Sequence, residues 1–467
     1  MFTFIRACPR GRRCDSIRTS ETAPRGRRPA RIGESTMSAV EEMIRDRLKN
    51  DIDPREFDTP EFQRNPFPLY QRLRDFHPAY HDRFHNRWAI SRYWDIDAVF
   101  QNTEAYTRGI YDEDGPYEFG SRHVFGPNIL EYGRGERHRW MRNVIAGQFV
   151  GQKLNDFLPV IDMIARELID KFKADGEVEL VSQFTHQFPI RVISNMLGLP
   201  RQDENMFVGW YQALIAGLGF GGEHLARGIA ARNEMWDYLE PLIKQREKTP
   251  GEDLLSRIIA AELDGVRMDM EEIKGFVALL LAAGGDTTDK AIADMWFHMM
   301  YTRPDQYPDV VANPDLWENV FTEMMRYDPV VHTQGRRALQ EIPMYDEVIP
   351  KGAMVLVYLG AGNRDERVFK NPDTFDIHRD DLHMGKENRS GRYKDGKPGH
   401  LGFGMGQHFC MGYAMARQEA VLASTYLAKL LNNIRPKFAE HEGIHSPNID
   451  SGGFRSPDEL WLTFDPA

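Results

Sequence analysis

The stretch HLGFGMGQHFCMG, residues 400–412, puts the only cysteine of residues 37–467 at the end of a loop with four glycines. A helical pattern of apolar residues starts directly after it, at Met411, and runs to Leu431. A chain that carries this stretch must fold a permissive loop against the start of a helix, with a thiol at the junction. Free cysteines are most often small buried hydrophobes. Burial alone does not explain four glycines around one thiol.

The other two cysteines, Cys8 and Cys14, lie in a segment of different composition. Residues 1–36 hold nine arginines against Asp15, Glu21 and Glu34. Such a stretch reads as an organelle transit peptide, as a disordered tail, or as translation upstream of a true start at Met37; the last two fit it better. Residues 1–40 are therefore expected to be a tail and 41–467 a single catalytic domain. The net charge of the whole chain is -11, which argues against a nucleic-acid binder. The apolar run from Phe276 to Gly285 is too short to cross a bilayer, and no apolar stretch follows the basic N-terminus. No membrane anchor and a cytoplasmic location are expected, and the scarcity of cysteine suits a reducing compartment.

Helical periodicity recurs over 136–149, 154–172, 227–246, 271–300, 315–327 and 411–431. Strand-like pieces are Arg87–Ser91, the GEVEL after Gly176, Ala353–Leu359 and Leu460–Phe464. Helices fill the middle and strands cluster toward the ends, which predicts a mainly α fold with small β-sheets (α+β). The segment GLGFGG, Gly217–Gly222, separates two helices and is expected to form a mobile lid.

For Cys410, a zinc site would need further cysteines or histidines at ligand spacing, and no second cysteine is present in the body. A nucleophile would need a partner histidine, and His408, two residues away in a loop, need not meet the thiol. Ligation of haem iron by the thiolate fits better: glycines let a flat macrocycle approach the backbone, and the helix start aims N–H groups at the sulfur.

Phe403–Gly412 matches F-G-x-G-x-H-x-C-x-G at all six fixed positions, and so resembles the cysteine loop of the cytochrome P-450 haem-thiolate monooxygenases. Ala416–Glu419 is similar to the A-R-x-E that follows it in bacterial members. Three further stretches carry the resemblance. Glu323 and Arg326 in FTEMMRYDP match the family's structural E-x-x-R. The AGGDTT of residues 283–288 matches the A-G-x-D-T-T of its long central helix. His138 and Arg142 match its H-x-x-x-R.

This resemblance implies a single large triangular domain with haem b between the central helix and the cysteine loop. It implies Cys410 as the iron ligand, and His138, Arg142, Ala283, Arg336, Phe403, Gly404, His408 and Gly412 around the cofactor. Asp286 and Thr287 become the acid–alcohol pair that manages protons, beside glycines that widen the helix for dioxygen. Leu279, Ala282, Val331, His332 and Phe454 are expected to line the substrate pocket, along with stretches of 106–130 and 214–220, Thr333 and Gly453. The implied reaction uses dioxygen and two external electrons to hydroxylate or oxidatively dealkylate a small-to-medium lipophilic substrate, such as a terpenoid, steroid, aromatic or ether. Ferredoxin and an NAD(P)H-dependent ferredoxin reductase would supply the electrons to a monomer. The basic loop Met384–His400 is a docking face for that donor or simply a solvated loop. A peroxide-driven haem oxidase and a haem-based sensor are the alternatives.

Overall fold

The computed structural model describes residues 50–108, 121–126, 135–219, 222–444 and 454–466. The expected tail, Met37, Phe220, Gly453 and most of the 109–130 stretch lie outside the described residues.

From the N-terminal side, Phe67–Phe76 forms helix α1, followed by the hairpin Ala79–Asp82 (β1) and Arg87–Ile90 (β2). Helix α2 is Tyr93–Gln101, and Tyr106–Thr107 is a two-residue strand, β3. Helices α3 (Gly135–Ala146) and α4 (Gly151–Ile169) come next. In α4, Leu154, Ile161, Ile164, Ala165 and Leu168 make one buried stripe at helical spacing. Glu177–Glu179 is β4, leading into α5 (Phe188–Met196), α6 (Glu204–Gly219) and α7 (Glu223–Lys248).

The central helix, α8, spans 28 residues from Met270 to Phe297. A capping box starts it: Asp269 accepts from the Glu272 amide at 2.8 Å, and Glu272 accepts from the Asp269 amide at 3.0 Å. Buried residues occur all around α8, because α5, α6, α7 and the later helices pack on it from several sides. Trp317–Tyr327 is α9, Thr333–Ala338 is β5 and Met354–Tyr358 is β6. Helix α10, Tyr413–Leu430, follows the cysteine loop, and Asn432–Pro436 (β7) and Trp461–Asp465 (β8) complete the series.

A five-stranded sheet runs in the order β1-β2-β6-β5-β3, with only the β2–β6 pair parallel, Arg87–Ile90 lying beside Met354–Val357. A three-stranded antiparallel sheet, β7-β8-β4, sets Trp461–Thr463 beside Glu177–Glu179. The architecture is mainly α with small β-sheets. Residues Ile52 to Ala467 form one compact unit. No helix among the described residues is long and apolar enough to cross a membrane.

Most helices expected from periodicity fall within a few residues of their observed bounds. Strands β1, β3, β5 and β7 are not among the strands expected: in β5, TQGRRA has no apolar alternation, and its flanking partners β3 and β6 draw it into the sheet. The expected lid glycines also differ. Gly217 is helical, and a Cβ there would come within 3.1 Å of the Gly228 Cα, so it serves close packing of α6 on α7.

Candidate active site

The cysteine loop closes on itself before α10 begins. The Cys410 amide donates to the Phe403 carbonyl at 3.0 Å, and a single 3₁₀ turn at Gly406–His408 lies between them. Burial pushes the Cys410 thiol up, while the Gly412 and Tyr413 amides and the Arg142 guanidinium pull it back toward thiolate. The loop glycines also serve packing within the protein. Gly404 and Gly406 have φ of 66° and 68°, and a Cβ on Gly406 would overlap the Phe100 carbonyl oxygen at the end of α2. A Cβ on Gly402 would sit 2.6 Å from the Met325 Cε. These two glycines therefore give clearance for packing within the protein, and Gly402 also borders the cavity that Cys410 faces.

Cys410 faces a cavity of about 430 Å³ between the loop and the central helix. Leu279, Ala282, Ala283, Gly284 and Thr287 of α8 line it, as do Val331, Thr333 and Phe454. On the cysteine side it meets Arg142, Phe403, His408 and Gly412. Arg108, which no motif marked, also lines it and donates to Gln334 Oε1 at 2.9 Å.

A cluster of cations collects at one edge. Helix α3 supplies His138 and Arg142, one turn apart. The His138 and His408 rings lie 4.6 Å apart, Gln407 Nε2 donates to His138 Nδ1 at 3.2 Å, and Arg142 donates to the Phe409 carbonyl at 2.6 Å. Arg336 of β5 is buried over the Phe100 ring. Neither Arg142 nor Arg336 has a carboxylate partner among the described residues. Burial and then Arg108, Arg336, His138 and Arg142 push the His408 imidazole down to about 2. Burial and Arg108 push the Arg336 guanidinium down as well. This much positive charge in a closed space calls for an anion.

On the central helix, Thr287 and Asp286 part company. Thr287 faces the cavity and donates to the Ala283 carbonyl at 2.9 Å. Asp286 is buried away from the cavity against Lys290 Nζ, and its Oδ2 has no protein partner. Burial pushes its carboxyl up, against the pull of Lys290. Beside it is a network that sequence reading missed: Asp289 accepts from Thr185 Oγ1 at 2.6 Å, from His186 Nδ1 at 2.7 Å and from Tyr211 at 3.3 Å. Helix α8 is continuous through Gly284 and Gly285, so the expected widening is not seen. A Cβ at either glycine would touch Ile193, or Ile190 and Tyr211, at 3.4 to 3.5 Å.

Glu323 and Arg326 form a fully buried fork of 2.7 and 2.8 Å. Arg326 also donates to the carbonyls of Asn363, Pro372 and Thr374, and Glu323 accepts from the Asp376 amide. The pair thus fastens α9 to residues 363–376, which fits a structural role. His332 is a correction. Extended backbone from Val331 to Thr333 points its side chain away from the cavity. There it donates to Asp328 Oδ1 at 2.7 Å and accepts from Tyr70, 3.1 Å away. Burial pushes the imidazole down to about 4. It lines no substrate pocket.

The cytochrome P450 family model matches residues 85–463. The chain belongs to the cytochrome P450 family. Pulcherriminic acid synthase of Bacillus subtilis (strain 168) is 29% identical over 412 residues, covering 87% of this chain and 97% of that one. Cytochrome P450 107B1 of Saccharopolyspora erythraea is 31% identical over 357 residues, 74% of this chain and 82% of that one. Among solved structures, P450BioI in complex with an acyl carrier protein ligated to hexadec-9Z-enoic acid superposes with a TM-score of 0.76 at 27% identity, covering 87% of this chain and 99% of that one.

Cytochrome P450 proteins are haem b monooxygenases, and the residues present fit that cofactor. A thiol and an apolar helix face lie on opposite sides of one cavity, and the cations at its edge suit the two carboxylates of haem. Of the residues expected around the cofactor, Arg142, Ala283, Phe403, His408, Cys410 and Gly412 line this P450 cavity, while His138 and Arg336 sit at its edge beside His408.

Proposed function

We propose that this cytochrome P450 hydroxylates or oxidatively dealkylates a neutral, lipophilic molecule of small to medium size. The observation that carries this reading is the cavity wall opposite Cys410, where Phe125, Leu218, Leu279, Val331 and Phe454 present apolar side chains. In this reading Cys410 holds the iron, and Arg142 and Arg336, with His138 and His408, hold the two carboxylates. Bound haem supplies the activation of dioxygen. Thr287 presents a hydroxyl to the cavity from one helical turn above Ala283, where it can hold a water or pass a proton. Asp286, on the buried side with Lys290, acts as the nearby proton store. The apolar walls exclude bulk water and orient the substrate through contact area rather than hydrogen bonds.

The carbon-monoxide difference spectrum of the reduced protein tests the assignment. A strongly red-shifted Soret band is expected, and Cys410→Ala abolishes it; an unshifted band in the parent protein would refute the thiolate ligand. A screen of terpenoids, steroids and aromatic ethers by spin-state shift then narrows the substrate.

Electrons come from a separate donor in this reading, with an acidic ferredoxin the best match to the exposed Arg389, Arg392 and Lys394 beside the cysteine loop. Reversing these three charges slows reduction by the donor, most strongly at low ionic strength. Unchanged rates in a stopped-flow measurement would leave the loop as a merely solvated surface.

A further inference from the structure

Two apolar walls of the cavity, Val331 and Phe454, come from segments 123 residues apart in sequence, and one residue next to them joins the two. Val331 and Phe454 meet in an isolated antiparallel bridge. The Arg455 amide donates to the Val330 carbonyl at 3.0 Å. The Arg455 guanidinium turns away from the cavity and reaches Asp328, with Nε 2.9 Å from Oδ1 and Nη2 3.2 Å from Oδ2. It also donates to the carbonyls of Gln63, Arg64 and Ile444. Asp328 is closed from its other side by His332, and His332 by Tyr70. Arg455, Asp328 and His332 are each at most 4% exposed. Gly360 permits this packing, since a Cβ on it would lie 2.6 Å from the His332 ring. Burial opposes the charge on Asp328, but Arg455 and His332 outweigh it and hold the carboxyl well below the usual range.

We propose that Arg455 is a positioning residue for substrate: by gripping Asp328 it locks Val331 and Phe454 together and so sets the shape of the apolar wall above the reacting centre. The inference rests on the haem-site reading above. It separates the residues that touch substrate, Val331 and Phe454, from a buried polar clamp that never does. It also gives His332 and Asp328 a place: they keep the arginine's carboxylate partner fixed and charged. A guanidinium suits the task because its planar fork reaches several acceptors at once, which a lysine ammonium cannot do in the same geometry.

The test uses the haem-loaded enzyme and two iron-coordinating probes. Imidazole is too small to reach the wall, whereas 4-phenylimidazole projects an aromatic ring toward it. In Arg455→Met and Arg455→Lys, 4-phenylimidazole binding, read from the Soret shift, is expected to weaken by about tenfold or more while imidazole binding holds. The lysine variant, which keeps the charge, is the one read if the methionine variant does not fold. Asp328→Asn is expected to show the same split. Hydrogen exchange should rise at the 330–331 and 454–455 backbone in each variant. Equal affinities of variant and parent for both probes, or a parallel loss for both, would overturn the clamp. Failure of both probes to shift the parent spectrum would overturn the haem reading on which the clamp rests, and failure of 4-phenylimidazole alone would overturn the placing of the Val331–Phe454 wall.

Discussion

Thr287 and Asp286 are neighbours in sequence but about 100° apart on the helix, and the structure uses that angle. The hydroxyl is given to the cavity and the carboxylate to a buried charge pair with Lys290. Thr287→Val keeps shape and removes only the hydroxyl, whose sole bond among the described residues is to the Ala283 carbonyl. Folding should be nearly unaffected. Product formed per dioxygen consumed is expected to fall on the order of tenfold to a hundredfold, with the balance released as peroxide; simultaneous oxygen-electrode and product assays measure it. At this scale the sequence was informative where a residue belongs to a spaced motif. Cys410, Arg142, Ala283 and Phe403 all line the cavity. It misled at His332, because the face that a residue in an extended segment presents depends on what lies behind it, here Tyr70 and Asp328. It reached Arg108 only as part of the 106–130 stretch, and it was silent on Asp289, which meets Thr185 and His186 only through tertiary packing.

Among elements, the cysteine loop is tightly constrained, because Gly406 combines a left-handed backbone with a close neighbour and Gly402 packs hard against Met325. Gly406→Ala brings both penalties at once: φ near 68° and a Cβ against the Phe100 carbonyl oxygen. A loss of about 2–4 kcal/mol is expected, seen as a lower thermal midpoint and weaker haem retention. Gly209→Ala, on α6 and away from the cavity, is the control, since its φ is not left-handed and a Cβ there would meet nothing among the described residues within 4 Å. The glycine pattern was plain in the sequence; its reason was not, because the nearest atoms come from α2, some 300 residues earlier. The long helices were legible for the opposite cause. A 3.6-residue apolar period is local and needs no partner to be read. Strand β5 needed β3 and β6, and its polar TQGRRA gave no sign of them.

For the molecule as a whole, buried ion networks staple distant segments, and their protonation links stability to pH. Glu387 is buried between Arg417 and His400, and Arg417 continues to Glu318 and Thr322 of α9. Burial works against the Glu387 charge, but His400 and Arg417 prevail and hold the carboxyl at about 2, below its ordinary 4.5. A depressed carboxyl stabilises the fold above its unfolded value and loses that contribution as pH falls through the folded value. Glu387→Gln is therefore expected to lower the thermal midpoint at neutral pH by an amount matching about 3 kcal/mol. The gap between variant and parent should shrink between pH 4.5 and 2. A gap that stays constant across that window would show that Glu387 is not the linked group.

The pairing of β2 with β6 and of β4 with β8 has a consequence for biosynthesis. Residues 87–90 wait for 354–357, and 177–179 wait for 461–463. A ribosome adding roughly 5–20 residues per second leaves β4 unpartnered for some tens of seconds after it emerges. Neither sheet can close until most of the polypeptide has been made, so the nascent chain carries unpaired strand edges through nearly its whole synthesis. Expression yield should then depend on translation speed and on chaperones that shield those edges more than on the stability of the finished fold.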